Sequence, residues 1–200
     1  MPSSTFTNLK PEKRQRIFQA LLTEFSQYPL SQSQVARIVK QADIARGSFY
    51  KYFTNLLDAY QYVLQQSIFQ LHTKLAQKLT VDNQDTIANF YHYTVEFAHQ
   101  LKTSQYKDFY RLFWQENQYY LQSHAAIEMT NFKFFQHLTL KVANQAIKNP
   151  RQNQVIIQLL RQVSHEAIKE ILSGQDEEQV LQNLKIILKV ISAGLQQEEG

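Results

Sequence analysis

No cysteine occurs in the 200 residues, and glycine and proline occur only four times each. Without cysteine there is no disulfide framework and no thiolate metal site. So few glycines and prolines exclude a chain built from many tight β-turns, and abundant Gln, Leu, Ala and Lys favour long helices instead. No apolar run approaches the ~18 residues that cross a bilayer, and no apolar segment of the secretory type opens the chain. A soluble, cytoplasmic protein without membrane association is expected. Its length suits one good-sized core or a small head fused to a larger body.

Catalytic signatures are scarce as well. Glu96 and His99 have the Glu-x-x-His spacing of di-iron helix bundles, but no second copy accompanies them. His165-Glu166 lacks the second histidine of a zinc-protease helix. No Gly-rich phosphate loop, nucleophile elbow or paired-carboxylate constellation occurs. No enzyme activity, cofactor or metal is expected.

What the chain does have is an uneven charge. Of 21 basic and 17 acidic side chains, residues 1–60 hold eight and four, leaving 13 of each for the rest. The eight are Lys10, Lys13, Arg14, Arg16, Arg37, Lys40, Arg46 and Lys51. The whole net charge of +4 therefore lies in the first third. A local basic surface on a small head suits phosphate binding; a solvated charged face is the plainer alternative.

The element pattern is all-α. Residues 1–9 read as a loose arm, with Asn8 and Pro11 suited to open a helix. Ile17, Phe18, Leu21, Leu22 and Phe25 then recur at helical spacing, and Tyr28-Pro29 stops the run. Ser31 with Gln34 fits a capping box for a second helix to about Gln41, burying Val35, Ile38 and Val39. A break at Ala42-Asp43-Ile44-Ala45 leads into a third, Arg46 to Phe53. Asn55 is a plausible cap for a helix reaching Leu79. Further helices are expected at about 84–102, Tyr106–Glu116, Leu121–Lys148, 152–172 and 177–193, with Gly174 as a C-cap. The count is nine helices and no strand. The domain division is 1–54 and 55–200.

Three short helices with a tight break before the third make a helix-turn-helix, spanning residues 31–53. In that design the third helix lies in the major groove while the second braces on the DNA backbone. Arg46-Gly-Ser-Phe-Tyr-Lys-Tyr-Phe53 fits. Phe49 and Phe53, four apart, can anchor it with Ile38 and Ile44. Arg46, Ser48, Lys51 and Tyr52 project elsewhere, and Gly47 permits close approach to a neighbouring helix or to DNA.

The run Gln34 to Phe53 resembles the head of the TetR family of bacterial transcription regulators. Ala42, Ile44, Gly47, Phe49, Tyr50 and Phe53 match the family's pattern, and Asn55, Asp58 and Tyr60 suit the start of its linking helix. The resemblance implies base or phosphate contacts by Arg46, Gly47, Ser48 and Lys51, and phosphate hydrogen bonds from Tyr50 and Tyr52. It also implies backbone bracing by Gln34 and Arg37. Tyr50 could equally be a core aromatic with its hydroxyl at the rim. Three positions depart from the pattern: Asp43 for the turn glycine, Ala45 for the Ser/Thr cap, and Leu56 for a lysine. They motivate an alternative, a helical ligand-binding or protein-interaction bundle whose head no longer binds DNA.

In the body, the stripes of the last two helices exceed what one-sided packing requires. Ile156, Leu160, Val163, Ile168, Leu184, Ile187, Leu188 and Ile191 are the candidate dimer residues. The resemblance implies a homodimer through these helices, reading double-stranded DNA at a palindromic operator. It further implies a pocket for a small-molecule effector of unknown identity. Phe90, Tyr93, Phe97, Phe109, Phe113, Trp114, Phe132, Phe135 and His137 are its candidate lining; ordinary core packing is the competing account of these aromatics.

Overall fold

A computed structural model describes residues 2–81, 85–123, 139–142 and 145–197. The helices in chain order are α1 (Ser4–Thr7), α2 (Pro11–Gln27), α3 (Val35–Ala42), α4 (Arg46–Tyr52) and α5 (Leu56–Val81). They continue with α6 (Thr86–Thr103), α7 (Lys107–Leu112), α8 (Gln118–Ser123), α9 (Pro150–Leu172) and α10 (Glu177–Gln197). A 3-10 turn occupies Leu30–Gln32, and a π-turn, Phe113–Asn117, joins α7 to α8. No helix among the described residues is long and apolar enough to cross a membrane.

The chain forms two compact units, residues 1–70 with 104–128 and residues 71–103 with 129–200. This packing division falls away from the 54/55 boundary read from the sequence. Tyr60, Val63 and Leu64 of α5 are buried in the same unit as α1 to α4, because the short head needs their apolar surface to close its core.

In the first unit, α2 carries the expected stripe, with Ile17, Phe18, Leu21, Leu22 and Phe25 all buried. Pro11 stands in its first turn, but the N-cap is Lys10 rather than Asn8. Tyr28 is extended ahead of Pro29. The arm is not loose. Phe6 is buried and its ring lies 4.9 Å from Phe53, 5.1 Å from Tyr62 and 5.7 Å from Tyr52. Ser3 fastens it, the hydroxyl donating to the Lys51 carbonyl at 2.7 Å and the N–H to Tyr52 at 2.9 Å. At the start of α5, Asn55 accepts the Asp58 N–H while the Asp58 carboxylate accepts the Thr54 N–H, both at 2.9 Å. The pair is close to a capping box, except that the carboxylate takes the N–H one residue before the cap.

The Ser31–Gln34 box does not form. Ser31 sits in the 3-10 turn, and Gln34 itself is the N-cap of α3. The Ser33 hydroxyl instead donates to the Pro29 carbonyl at 3.0 Å.

In the second unit, α6 packs against α9 and α10, and α9 against α10. Asn149 caps α9 by accepting the N–H groups of Arg151 and Gln152. Gly174, at φ 91°, ends it as expected. The long helix expected over Leu121–Lys148 is corrected: helix ends at Ser123 among the described residues, and Lys141–Val142 pairs antiparallel with Gln145–Ala146. Side chains from elsewhere pin this ladder. Asn153 accepts the Leu140 N–H at 2.8 Å and Thr86 that of Lys141 at 2.9 Å. Hydrogen bonds between residues distant in sequence outweighed local helix propensity. Among the described residues the fold is all-α apart from this four-residue ladder.

Candidate nucleic-acid interface

Seven residues are too few for a stable helix alone, so α4 depends on its anchors. Phe49 and Phe53 are buried, their rings 5.6 Å apart. The turn before it has the required shape. Asp43 is left-handed, at φ 51° and ψ 57°, and its N–H caps α3 through the Lys40 and Val39 carbonyls. Aspartate therefore serves where the family pattern has glycine. An L-residue there carries roughly 1 kcal/mol of backbone cost, so Asp43→Gly is expected to stabilise the protein slightly and Asp43→Val to destabilise it by about 1–2 kcal/mol. Urea unfolding of the two variants checks this; equal stabilities would mean the left-handed turn is not present in solution. Ala45 caps α4 without a side-chain bond, as the sequence implied.

At 100° per residue, Arg46, Tyr50, Gly47 and Lys51 fall in that angular order over an arc of about 140°. All four are exposed, Tyr50 at 51%. Tyr50 is thus at the surface, its edge against the Phe49 ring at 5.3 Å. No atom lies within 4 Å of a Cβ built on Gly47, so the glycine serves no neighbouring helix of this chain and leaves that side open. Ser48 is half-buried at the arc's margin. Tyr52 departs from expectation: it is only 6% exposed, turned inward against Phe6. The docked arm covers the side of α4 where Tyr52 had been expected to project.

The two α3 candidates also differ from one another. Gln34 is exposed at the N-cap. Arg37 is engaged within the head, its guanidinium contacting both oxygens of the buried Glu24 carboxylate, with Nη2 at 2.6 Å from Oε1. It also donates to the Gln32 carbonyl and lies 3.9 Å over the Tyr28 ring. The hydrogen bonds to Glu24 raise its pKa above the usual arginine value. Glu24 further accepts the Gln34 N–H at 2.7 Å, serving as a carboxylate cap for α3 from another helix. A charged residue inside the apolar stripe of α2 was the available signal for Glu24. Arg16 was likewise missed; its Nε donates to the Ala42 carbonyl at 2.8 Å and closes the end of α3.

Residues 17–55 match the family model described as bacterial regulatory proteins, tetR family. The head, in those residues, is similar to that of the TetR family. Solved TetR-family structures share the fold. A TetR transcriptional regulator from Rhodococcus sp. RHA1 is 15% identical, with a TM-score of 0.54 over 92% of this chain and 98% of that one. A protein assigned to the family from Mesorhizobium loti MAFF303099 is 12% identical, with a TM-score of 0.58 over 91% and 96%. The fatty acid degradation regulator FadR from Bacillus halodurans is 15% identical, with a TM-score of 0.50 over 90% and 96%. No curated protein matches the sequence. Like those structures, this chain has a helix-turn-helix head followed by a helical body.

The candidate effector residues of the body divide between the two units. Phe90, Tyr93 and Phe97 stand on α6 in the second; Phe109, Phe113 and Trp114 belong to the first. Phe109 packs within its own unit, 5.1 Å from the Tyr60 ring. Phe132, Phe135 and His137 lie outside the described residues. On α9, burial and the neighbouring Arg161 cation lower His165 to about 4. Its charged form is disfavoured in the fold, so the unfolded chain binds the extra proton first. Stability should be intact above about pH 6.5 and fall as pH drops toward 4, by about 2 kcal/mol at pH 5. Urea melts of wild type and His165→Gln at pH 7.5 and 5 test this; equal pH dependence would remove His165 as the cause.

Of the dimer candidates, Ile156, Leu160, Ile168, Leu184 and Leu188 are buried inside the second unit, correcting their assignment to a partner-facing surface. Val163 and Ile191 are half-buried and Ile187 is exposed. The exposed apolar set is instead Val155 and Leu159 on α9, with Ile186, Ile187 and Val190 on α10. Helical spacing alone does not separate the inward side of these two helices from the exposed one.

Proposed function

We propose that the chain is a DNA-binding transcription regulator that acts as a homodimer on a palindromic operator and is released by a small ligand, as a repressor. Residues 1–54 are the reading head and residues 55–200 the effector-binding and dimerising body. The observation that carries the reading is the open face of α4. Arg46, Gly47, Tyr50 and Lys51 stand exposed on an arc whose opposite side is locked by Phe49. A duplex offers phosphates to the lysine and the tyrosine hydroxyl, and base edges to the arginine. With Arg37 committed to Glu24, bracing by α3 falls to the exposed Gln34. The exposed apolar set on α9 and α10 supports pairing of two chains, and a symmetric pair presents two heads to two half-sites.

Selection of bound sequences from a random duplex pool, followed by titration at several salt concentrations, tests the proposal. A two-fold symmetric site and a steep loss of affinity with salt are expected. A dimer that selects no DNA would return the head to a structural role.

A further inference from the structure

Asn117 lies on the π-turn, 1% exposed, with both polar atoms of its side chain hydrogen-bonded. Its side-chain carbonyl accepts the Leu30 backbone N–H at 2.8 Å, and its amide donates to the Tyr60 hydroxyl at 3.2 Å. Leu30 opens the 3-10 turn that connects α2 to α3. Tyr60 is buried on α5, with the Phe25 ring of α2 at 5.0 Å.

The π-turn is what brings these groups together. Phe109, Phe113 and Asn117 are all buried. In a regular α-helix eight residues would leave positions 109 and 117 about 80° apart. The wider π-turn takes up that drift and returns Asn117 to the side of Phe109, which meets Tyr60. π-turns within helices gather at functional positions, and here the turn aims one polar side chain at the chain's reading head.

The α2–α3 connection is thus held at two points of different origin. From within the head, Glu24 takes the Gln34 N–H and Arg37. From the helical run 107–123, Asn117 takes the Leu30 N–H. A slip of that run by one residue would turn Asn117 by about 100° and withdraw it, leaving a buried N–H without its acceptor.

We propose that Asn117 is a positioning residue for the head, fixing the start of α3, and with it the seat of the α3–α4 pair, to the helical run 107–123. The effect on affinity rests on the DNA-binding reading above. A head whose α2–α3 connection is loose must be ordered on binding, and that ordering subtracts from affinity.

Three full-length variants separate positioning from mere stability. Asn117→Leu removes both hydrogen bonds at similar volume. Tyr60→Phe removes the hydroxyl and leaves the Leu30 tie. Asn117→Asp keeps an acceptor for Leu30. Amide exchange at Leu30 and along α3, measured without DNA, is expected to quicken at least tenfold in Asn117→Leu. Affinity for the selected site should fall about tenfold. Tyr60→Phe should leave both readouts near wild type, and Asn117→Asp should restore the Leu30 protection. Unchanged exchange in Asn117→Leu, or equal loss of affinity in Tyr60→Phe, overturns the proposal. A wild type that selects no DNA sinks the functional reading alone, and exchange at Leu30 and α3 still decides whether Asn117 positions the head.

Discussion

Changing Arg46 and Lys51 together to alanine is expected to weaken operator binding at least about a hundredfold, since single interactions of these kinds are worth about 1–3 kcal/mol each. Both side chains are exposed on the arc of α4 that also holds Gly47 and Tyr50. Truncating them removes charge without disturbing Phe49 or Phe53, which hold the helix from the other side. The two residues differ in what they read. Lys51→Ala should weaken binding to all sequences alike. Arg46→Ala, at the first turn of α4, should also relax the base preference at one position of each half-site. The plot of log affinity against log salt should flatten by about 0.9 for each phosphate that is no longer neutralised, counted once per head. Electrophoretic or anisotropy titrations at several salt concentrations measure both effects. Wild-type affinity and slope in the double variant would mean that α4 is not the reading helix.

A charge placed in the apolar set of α9 and α10 is expected to leave the chain monomeric. Val190 is 68% exposed, and Ile186, Ile187, Val155 and Leu159 are exposed with it. If two chains pair through this set, symmetry places every substitution in the interface twice. Losing each buried aliphatic side chain costs about 1.5–3 kcal/mol, before the cost of burying a charge is added. Val190→Lys should therefore shift dimerisation by more than about a thousandfold. Gln182→Lys, an exposed polar position on the same helix, should change little. Sedimentation across a concentration series reads the result, and operator affinity should fall with the dimer. A Val190→Lys protein as dimeric as wild type would place the interface elsewhere. The inward residues make a useful contrast. Leu184→Lys would unfold the second unit rather than dissociate the pair, because Leu184 is part of that unit's own core.

Much of the head could be read directly because its signals are local. The stripe Ile17 to Phe25, the stop at Tyr28-Pro29 and the anchors Phe49 and Phe53 each follow from spacing within one helix. So does the cap at Asn55, and Asp43 was recognisable as the turn residue from its place between two helical patterns. Tyr52 was misplaced because its surroundings are set by Phe6, 46 positions upstream on the docked arm. The pairing of Arg37 could not be read from spacing, because its acceptor, Glu24, belongs to another helix.

The body shows the same limit more sharply. An apolar position on α9 or α10 has the same composition whether it faces its own unit or a partner. Periodicity could find the helices but not divide Leu160 and Leu184, which are buried, from Leu159 and Val190, which are not. The ladder at 141–146 is held by Asn153 from the next helix and by Thr86, which lies 55 positions before Lys141.

By itself the sequence determined an all-helical chain with a basic, three-helix head of TetR type, since helix periodicity, capping and local charge are properties of neighbouring residues. The tertiary structure decided which side chains remain outside: that Arg46 and Lys51 are exposed while Arg37 is bound to Glu24 and Tyr52 is buried, and that Asn117 reaches Leu30 through a π-turn. Those outcomes depend on groups brought together from distant parts of the chain, where burial and hydrogen-bond partners, rather than residue type, set each group's role.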